Sequence, residues 1–206
     1  MISAVGISLA YGRRVALAPL DLELAREEKL AVLGPNGAGK TSLLRILATA
    51  VRPSAGTLAI DGETERAAIR ARVGYLGHQP AVYDALTVLE NVQFFARLYG
   101  LRGPGTVLEQ VGLSHLEKRP AGELSRGQLQ RLALARSLVH DPAVWILDEP
   151  DASLDDEGRA LLPALAADRT VVLATHDRDL ALRLCRRTLL LRDGRVEAPS
   201  ALEEAK

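Results

Sequence analysis

The first apolar positions fall at short, mixed spacing: Ile2, Val5, Ile7 and Leu9. Further on, Leu20, Leu22 and Leu24 alternate with Asp21, Glu23 and Ala25. A period of two puts alternate side chains on opposite faces, so this stretch predicts a strand with one wet face. Leu30-Ala31-Val32-Leu33 is a continuous apolar run, which suits a short strand buried on both faces. Residues 2–33 are therefore expected to be strands. A glycine-rich loop and a helix to about Ala50 follow, then strands over 56–61 and 73–77. From about Pro80 to His140 the spacing turns helical: Leu86, Val88, Leu89, Val92, Phe95 and Leu98 recur at steps of three and four. Thr87 followed by Glu90 reads as a capping box. Three glycines and a proline within 100–105 must break the helix, and 125–139 carries a second one.

Beyond Val144 the chain alternates. Residues 144–147 predict a buried strand, 155–167 a helix, 170–174 a strand, 178–184 a helix and 188–191 a strand. Strand–helix alternation implies parallel strands joined by crossover helices, an α/β fold. The expected organisation is one domain: a core from 1–79 and 141–198, an inserted helical lobe at 80–140, and a frayed tail at 199–206.

A length of 206 residues is enough to bury a sizeable core. Lys and Arg total 26, Asp and Glu total 26, and the net charge is zero. With so few aromatics and no basic stripe, no nucleic acid is expected as partner. The single cysteine, Cys185, has no partner for an internal disulfide; it sits in an apolar stretch and is expected to be a core thiol in a reducing compartment. No apolar run approaches the roughly 20 residues needed to cross a bilayer, and the start lacks the pattern of a signal peptide. The expected location is the cytoplasm or the cytoplasmic face of a membrane.

Gly34-Pro35-Asn36-Gly37-Ala38-Gly39-Lys40-Thr41 fits the pattern G-x-x-x-x-G-K-[ST]. Its glycines let the backbone curl so that several N–H groups point at phosphate oxygens. The helix that starts near Gly39 adds its positive end. Lys40 is expected to bridge the β and γ phosphates, the Thr41 hydroxyl to ligate magnesium, and Ser42 to complete the nucleotide-binding set. A buried strand before it and a helix after it supply the context the pattern requires. Kinases, GTPases and motor ATPases share this loop, so alone it leaves a small-molecule kinase open.

Val144-Trp145-Ile146-Leu147 ends in Asp148 and Glu149. Asp148 at a strand end is suited to holding magnesium through water, and Glu149 to activating a water as general base. That pairing favours hydrolysis over transfer to an acceptor hydroxyl.

With these motifs in place, Leu124-Ser125-Arg126-Gly127-Gln128 resembles the signature motif of the ABC-type ATPases. Gln79 resembles their Q-loop glutamine, Ser153-Leu154-Asp155 their D-loop, His176 their switch histidine, and Tyr11 the aromatic residue that stacks on adenine. The resemblance spans nearly the whole chain, with the motifs in family order. It implies a P-loop NTPase core with an N-terminal antiparallel β lobe and an inserted α-helical lobe. It also implies ATP and Mg2+ as ligands. Glu149, His176, Gln79 and Lys40 become catalytic candidates, with Thr41, Gln79 and Asp148 around the metal. Ser125, Gly127, Gln128 and Asp155 join the nucleotide set. Ser125 and Gly127 open a helix, so they also read directly as an anion site.

The family solution is a head-to-tail dimer, in which one copy's loop and the other copy's Ser125 helix enclose each ATP. The resemblance further implies a separate membrane subunit docked after Gln79, with Leu86 to Leu98 as part of that surface. Arg126 departs from the glycine most common in the family. The segments Tyr75-Leu76-Gly77-His78-Gln79-Pro80, Leu89-Glu90-Asn91 and Trp145 to Pro150, with the short total length, are similar to the haem-exporter ATP-binding subunits of cytochrome c maturation. A generic bacterial exporter ATPase and a non-hydrolysing nucleotide-gated scaffold are the alternatives; Lys40, Asp148, Glu149 and His176 argue against the scaffold. His78, His115 and His140 have no partner that the sequence names, and are expected to be surface or core residues.

Overall fold

A computed structural model describes residues 1–197. The expected tail at 199–206, and residue 198 at the expected end of the core, lie outside the described residues. The chain opens with strands β1 (Ile2–Tyr11), β2 (Arg14–Leu24) and β3 (Lys29–Leu33), then helix α1 (Lys40–Leu47). Next come β4 (Ala55–Ile60), a short helix α2 (Arg66–Arg70) and β5 (Val73–Leu76). Helices α3 (Val88–Leu98), α4 (Val107–Gln110) and α5 (Arg126–Leu138) follow. The chain then alternates through β6 (Val144–Asp148), α6 (Asp156–Leu165), β7 (Thr170–Ala174), α7 (Arg178–Leu184), β8 (Arg187–Arg192) and β9 (Arg195–Val196).

The strands form two sheets. One is antiparallel in the order β2-β1-β4; the other runs β5-β6-β7-β3-β8-β9 and is parallel except for its β9 edge. The uninterrupted apolar runs of the sequence are explained by this second sheet, which is covered on both faces. Alternate residues go to alternate cores. Leu30, Val32, Ile146, Val172 and Ala174 join α1 and the antiparallel sheet in one apolar cluster. Ala31, Trp145, Leu147, Val171 and Leu173 join the helices of the opposite face. Trp145 is fully buried, and its indole N–H donates to Ser137 Oγ at 2.9 Å, so its one polar atom is satisfied.

The mixed spacing in β1 has a specific cause. The pairing with β2 shifts register between Ala4 and Ile7, where Gly6 has φ 58. This bulge lets Ile2, Ala4, Ile7 and Leu9 all face the core and leaves Val5 55% exposed.

The structure adds detail that the sequence reading did not reach. Residues 80–140 carry three helices, α3, α4 and α5, separated by turns and bends. Val88, Val92, Ala96, Val107 and Leu108 of this stretch share a cluster with the strands of the parallel sheet. Helix α2 and strand β9 carry too few residues to register as a period and were not anticipated. Helix α5 buries Gln130 and Arg131, which a polar-out reading would expose. Each has partners: Gln130 Nε2 donates to Pro150 O at 3.2 Å, and Arg131 pairs with Asp155 at 3.2 Å and Glu157 at 2.9 Å. Partners of this kind lower the cost of burying polar groups, although Arg131 Nε is left without one.

Among the described residues no helix is long and apolar enough to cross a membrane. Cys185 is buried, as expected, and burial pushes its thiol up to about 12. A thiol with that pKa is almost wholly protonated at neutral pH, and thiolate is the reactive form. Labelling by a thiol reagent at pH 8 should therefore be negligible in the native protein and complete in denaturant. Fast native labelling would contradict this placement.

Candidate functional site

Strands β3, β6 and β7 are parallel neighbours, with Val32 opposite Ala174 and Ala174 opposite Asp148. Their C-terminal ends therefore meet at one edge, where α/β sheets place ligands. The phosphate loop leaves β3 there. Gly34 has φ 148, and a Cβ on it would run into the Leu191 carbonyl. Gly39, the N-cap of α1, has φ 101, and its Cβ would stand 2.7 Å from Ala16 O. Only glycine fits both constraints, so the loop's sequence follows from backbone crowding as well as from its curl. Gly194 braces it and is itself held by β2. Gly194 N donates to Ala38 O at 3.0 Å, and Gly194 O accepts from Ala18 N at 2.7 Å. Lys40 is buried, and its ammonium donates back to Gly34 O at 2.7 Å and Pro35 O at 3.1 Å. Pro35, Asn36 and Gly37 are exposed at the crest, Ala38 is buried, and Ser42 is half-buried in the first turn of α1.

Thr41 lies beside the acidic strand end, its hydroxyl donating to Asp148 Oδ1 at 3.2 Å. Asp148 is buried, and its Oδ2 has no hydrogen-bond partner. Burial pushes the Asp148 carboxyl up; the Thr41 hydroxyl pulls it back, and the charge of Glu149 adds to the rise. A buried acceptor left over beside a hydroxyl and a second carboxylate is a poor resting place for charge unless a cation joins it.

Glu149 sits at φ 54, in the left-handed region. For a residue with a Cβ that conformation costs roughly 1–2 kcal/mol. It is held by the Glu149 N–H donating to Ala174 O at 2.8 Å. The carboxylate then reaches two histidines. His176 Nε2 is 3.0 Å from Oε1, and His78 Nδ1 is 3.8 Å from Oε2.

The loop that carries His176 is anchored below. Thr175 Oγ1 donates to Asp151 Oδ1 at 2.7 Å in a buried contact, and accepts from Asp177 N at 2.9 Å. Arg159 clamps the same pair of loops, donating to Asp151 O at 3.1 Å and Asp177 Oδ2 at 3.2 Å. Sequence reading missed His78, Asp151, Thr175 and Arg159. The only signal for the first three was adjacency to a motif residue; Arg159 had none.

The signature segment is built differently. Ser125 caps α5: its hydroxyl accepts from Gln128 N at 3.2 Å, and Gln128 Oε1 accepts from Ser125 N at 3.0 Å. Gly127 is buried against Asp155, whose Oδ2 would lie 2.6 Å from a Cβ at that position. Asp155 also caps α6, accepting from Gly158 N at 2.9 Å. The structure therefore joins Ser125, Gly127, Gln128 and Asp155 in one corner. Among the described residues no hydrogen bond links that corner to the phosphate loop. Tyr11 ends β1 and is 54% exposed, while Gln79 is exposed on the loop after β5. Of the remaining histidines, His115 is exposed. His140 is half-buried and stacked on Tyr99, with centroids 3.7 Å apart.

Residues 17–152 match the family described as ABC transporter. The chain belongs to this family. It is similar to the cytochrome c biogenesis ATP-binding export protein CcmA of Rhodopseudomonas palustris, with 40% identity over 85% of this chain and 91% of that protein. It is also similar to the daunorubicin resistance ATP-binding protein DrrA3 of Streptomyces coeruleorubidus, with 36% identity over 100% of this chain and 69% of that one. Among solved structures it resembles a dimeric ATP-binding cassette in a post-hydrolysis state bound to ADP and Pi. That match has a TM-score of 0.85 and 28% identity, and covers 96% of this chain and 97% of the other. The ABC ATP-binding fold expected from the motifs, with its parallel core and antiparallel β sheet, is thus borne out.

Proposed function

We propose that this ABC-family chain hydrolyses ATP as a head-to-tail dimer to drive a separate membrane subunit, and that its transported substrate is haem for cytochrome c maturation. One observation carries the hydrolytic part: the Glu149 carboxylate, with His176 Nε2 3.0 Å away, stands next to Asp148 and Thr41 at the sheet edge where Lys40 also lies. Lys40 and the N–H groups of residues 34–41 would hold the phosphates, with Ser42 beside them and Tyr11 against the adenine. The orphaned Oδ2 of Asp148, with Thr41 beside it and Gln79 on the adjoining loop, fits a Mg2+ ion. That ion would screen phosphate charge. Glu149 accepts the proton of the attacking water, and His176 orients Glu149.

The Ser125 corner does not meet the phosphate loop within one chain, so the second half of the site is assigned to a second copy. The stretch 80–140, with the exposed Phe94 and Leu98 of α3, is the docking side for the membrane partner. On this reading the chain sits on the cytoplasmic face of the membrane.

Substituting Ser125→Arg puts a long cation at that helix N-terminus and removes the cap. Monomer binding of ATP should persist while ATP-dependent dimerisation is lost. Sedimentation with and without ATP checks this, and an intact ATP-dependent dimer would sink the head-to-tail reading.

The haem assignment rests on the similarity to the CcmA protein. Loss of the gene should abolish haem-stained c-type cytochromes, with rescue by wild type and not by Glu149→Gln. Unchanged cytochromes would instead favour another exported substrate, a reading supported by the similarity to the daunorubicin resistance protein.

A further inference from the structure

The two oxygens of the Glu149 carboxylate face different histidines, delivered by loops on either side of β6. His176 follows β7 and reaches Oε1; His78 follows β5 and reaches Oε2. Both strands are direct neighbours of β6, with Leu76 opposite Leu147 and Ala174 opposite Asp148. Gly77 lies against the Tyr75 ring, where a Cβ would be 3.1 Å from the phenol oxygen. The chain leaving β5 therefore stays close to the sheet edge and carries His78 toward Glu149. His78 is itself 72% exposed and fills no core space.

We infer that His78 is a second positioning residue for Glu149: its Nδ1 lies 3.8 Å from Oε2, a gap longer than a hydrogen bond that closes to one when nucleotide occupies the site. This rests on the reading of Glu149 as general base. A neutral imidazole with its proton on Nδ1 donates toward the carboxylate. Each carboxylate oxygen has two lone pairs, so one donor per oxygen still leaves an acceptor for the proton of water. A glutamate side chain free to rotate would lose part of its alignment with the attacking water, and misplacements of about 1 Å are costly in catalysis. Because His78 lies two residues before the stretch 80–140 proposed as the docking side for the membrane partner, it also ties the start of that stretch to the base.

The test is steady-state ATP hydrolysis by His78→Ala, His78→Asn and His78→Gln. His78→Ala should lower kcat about fivefold, a fraction of the ~10²–10⁴-fold a general base contributes, with KM for ATP within about twofold. His78→Asn should recover most of the rate, because its amide nitrogen takes the place of Nδ1; His78→Gln, one methylene longer, should not. In a Glu149→Gln background, His78→Ala should cause no further loss. An unchanged kcat in His78→Ala would overturn the inference. So would a change confined to KM, which would mark a nucleotide contact, or equal loss in the alanine and asparagine variants, which would mark a structural role. The two readings fail separately. Near-normal turnover in Glu149→Gln would remove the general base itself, whereas an inactive Glu149→Gln with a normal His78→Ala would remove only this inference.

Discussion

Glutamine in place of Glu149 should abolish most turnover while leaving ATP binding intact. The amide keeps the shape of the carboxylate, and its oxygen can still accept from His176 Nε2, now 3.0 Å from Oε1. It cannot take a proton from water. General-base assistance contributes about 10²–10⁴-fold, so kcat should fall by that order. Affinity should change little, for two reasons. The phosphate contacts proposed for the loop run through Lys40 and backbone N–H groups, not through this side chain. The Glu149 charge also pushes the Asp148 carboxyl up, so removing it makes the neighbouring acid easier to ionise. With chemistry blocked and binding intact, the ATP-bound dimer should accumulate. Hydrolysis assays, nucleotide titration and sedimentation in ATP read the three consequences. Near wild-type hydrolysis would show that the proton goes elsewhere.

Lys40→Ala should act on the other half of the equation, binding. The Lys40 ammonium is held inside the loop by Gly34 O and Pro35 O at 2.7 and 3.1 Å, positioned over the curl into which phosphates would fit. Charged hydrogen bonds are worth about 1.5–3 kcal/mol, and 1.4 kcal/mol is about tenfold in affinity. ATP affinity should therefore weaken by roughly 10- to 100-fold. The fold should survive, since Pro35 is exposed and water can replace the lost donor to its carbonyl. A titration with ATP alongside thermal unfolding separates the effects. Unchanged affinity with an unchanged unfolding midpoint would refute the assignment of residues 34–41 as the phosphate loop.

The two substitutions draw on differently legible parts of the chain. The loop of residues 34–41 was legible in the sequence as a candidate phosphate site, because its pattern lies in consecutive residues whose spacing is fixed by backbone curl. The acidic strand end was legible for the same reason: four apolar residues followed by two carboxylates describe a buried strand reaching the sheet edge. The parallel sheet followed from apolar runs alternating with helical periods, a pattern set by burial on both faces.

What the sequence determined, then, were the local elements and the chemistry carried by contiguous residues. Tertiary structure alone decided which distant residues meet. The order β5-β6-β7-β3 brought the ends of four separate strands to one edge. It set His78 and His176 on opposite oxygens of Glu149 and buried Asp151 under Thr175. It also made residues 80–140 share a core with the parallel sheet. The buried Gln130 and Arg131 belong here too, because their partners come from the loop and helix after β6. The physical reason is common to all of these. Periodicity records whether a side chain faces apolar or polar surroundings, but not which neighbour it meets. Strand order and long-range pairing choose the neighbour, and at this sheet edge that choice built the site around Glu149.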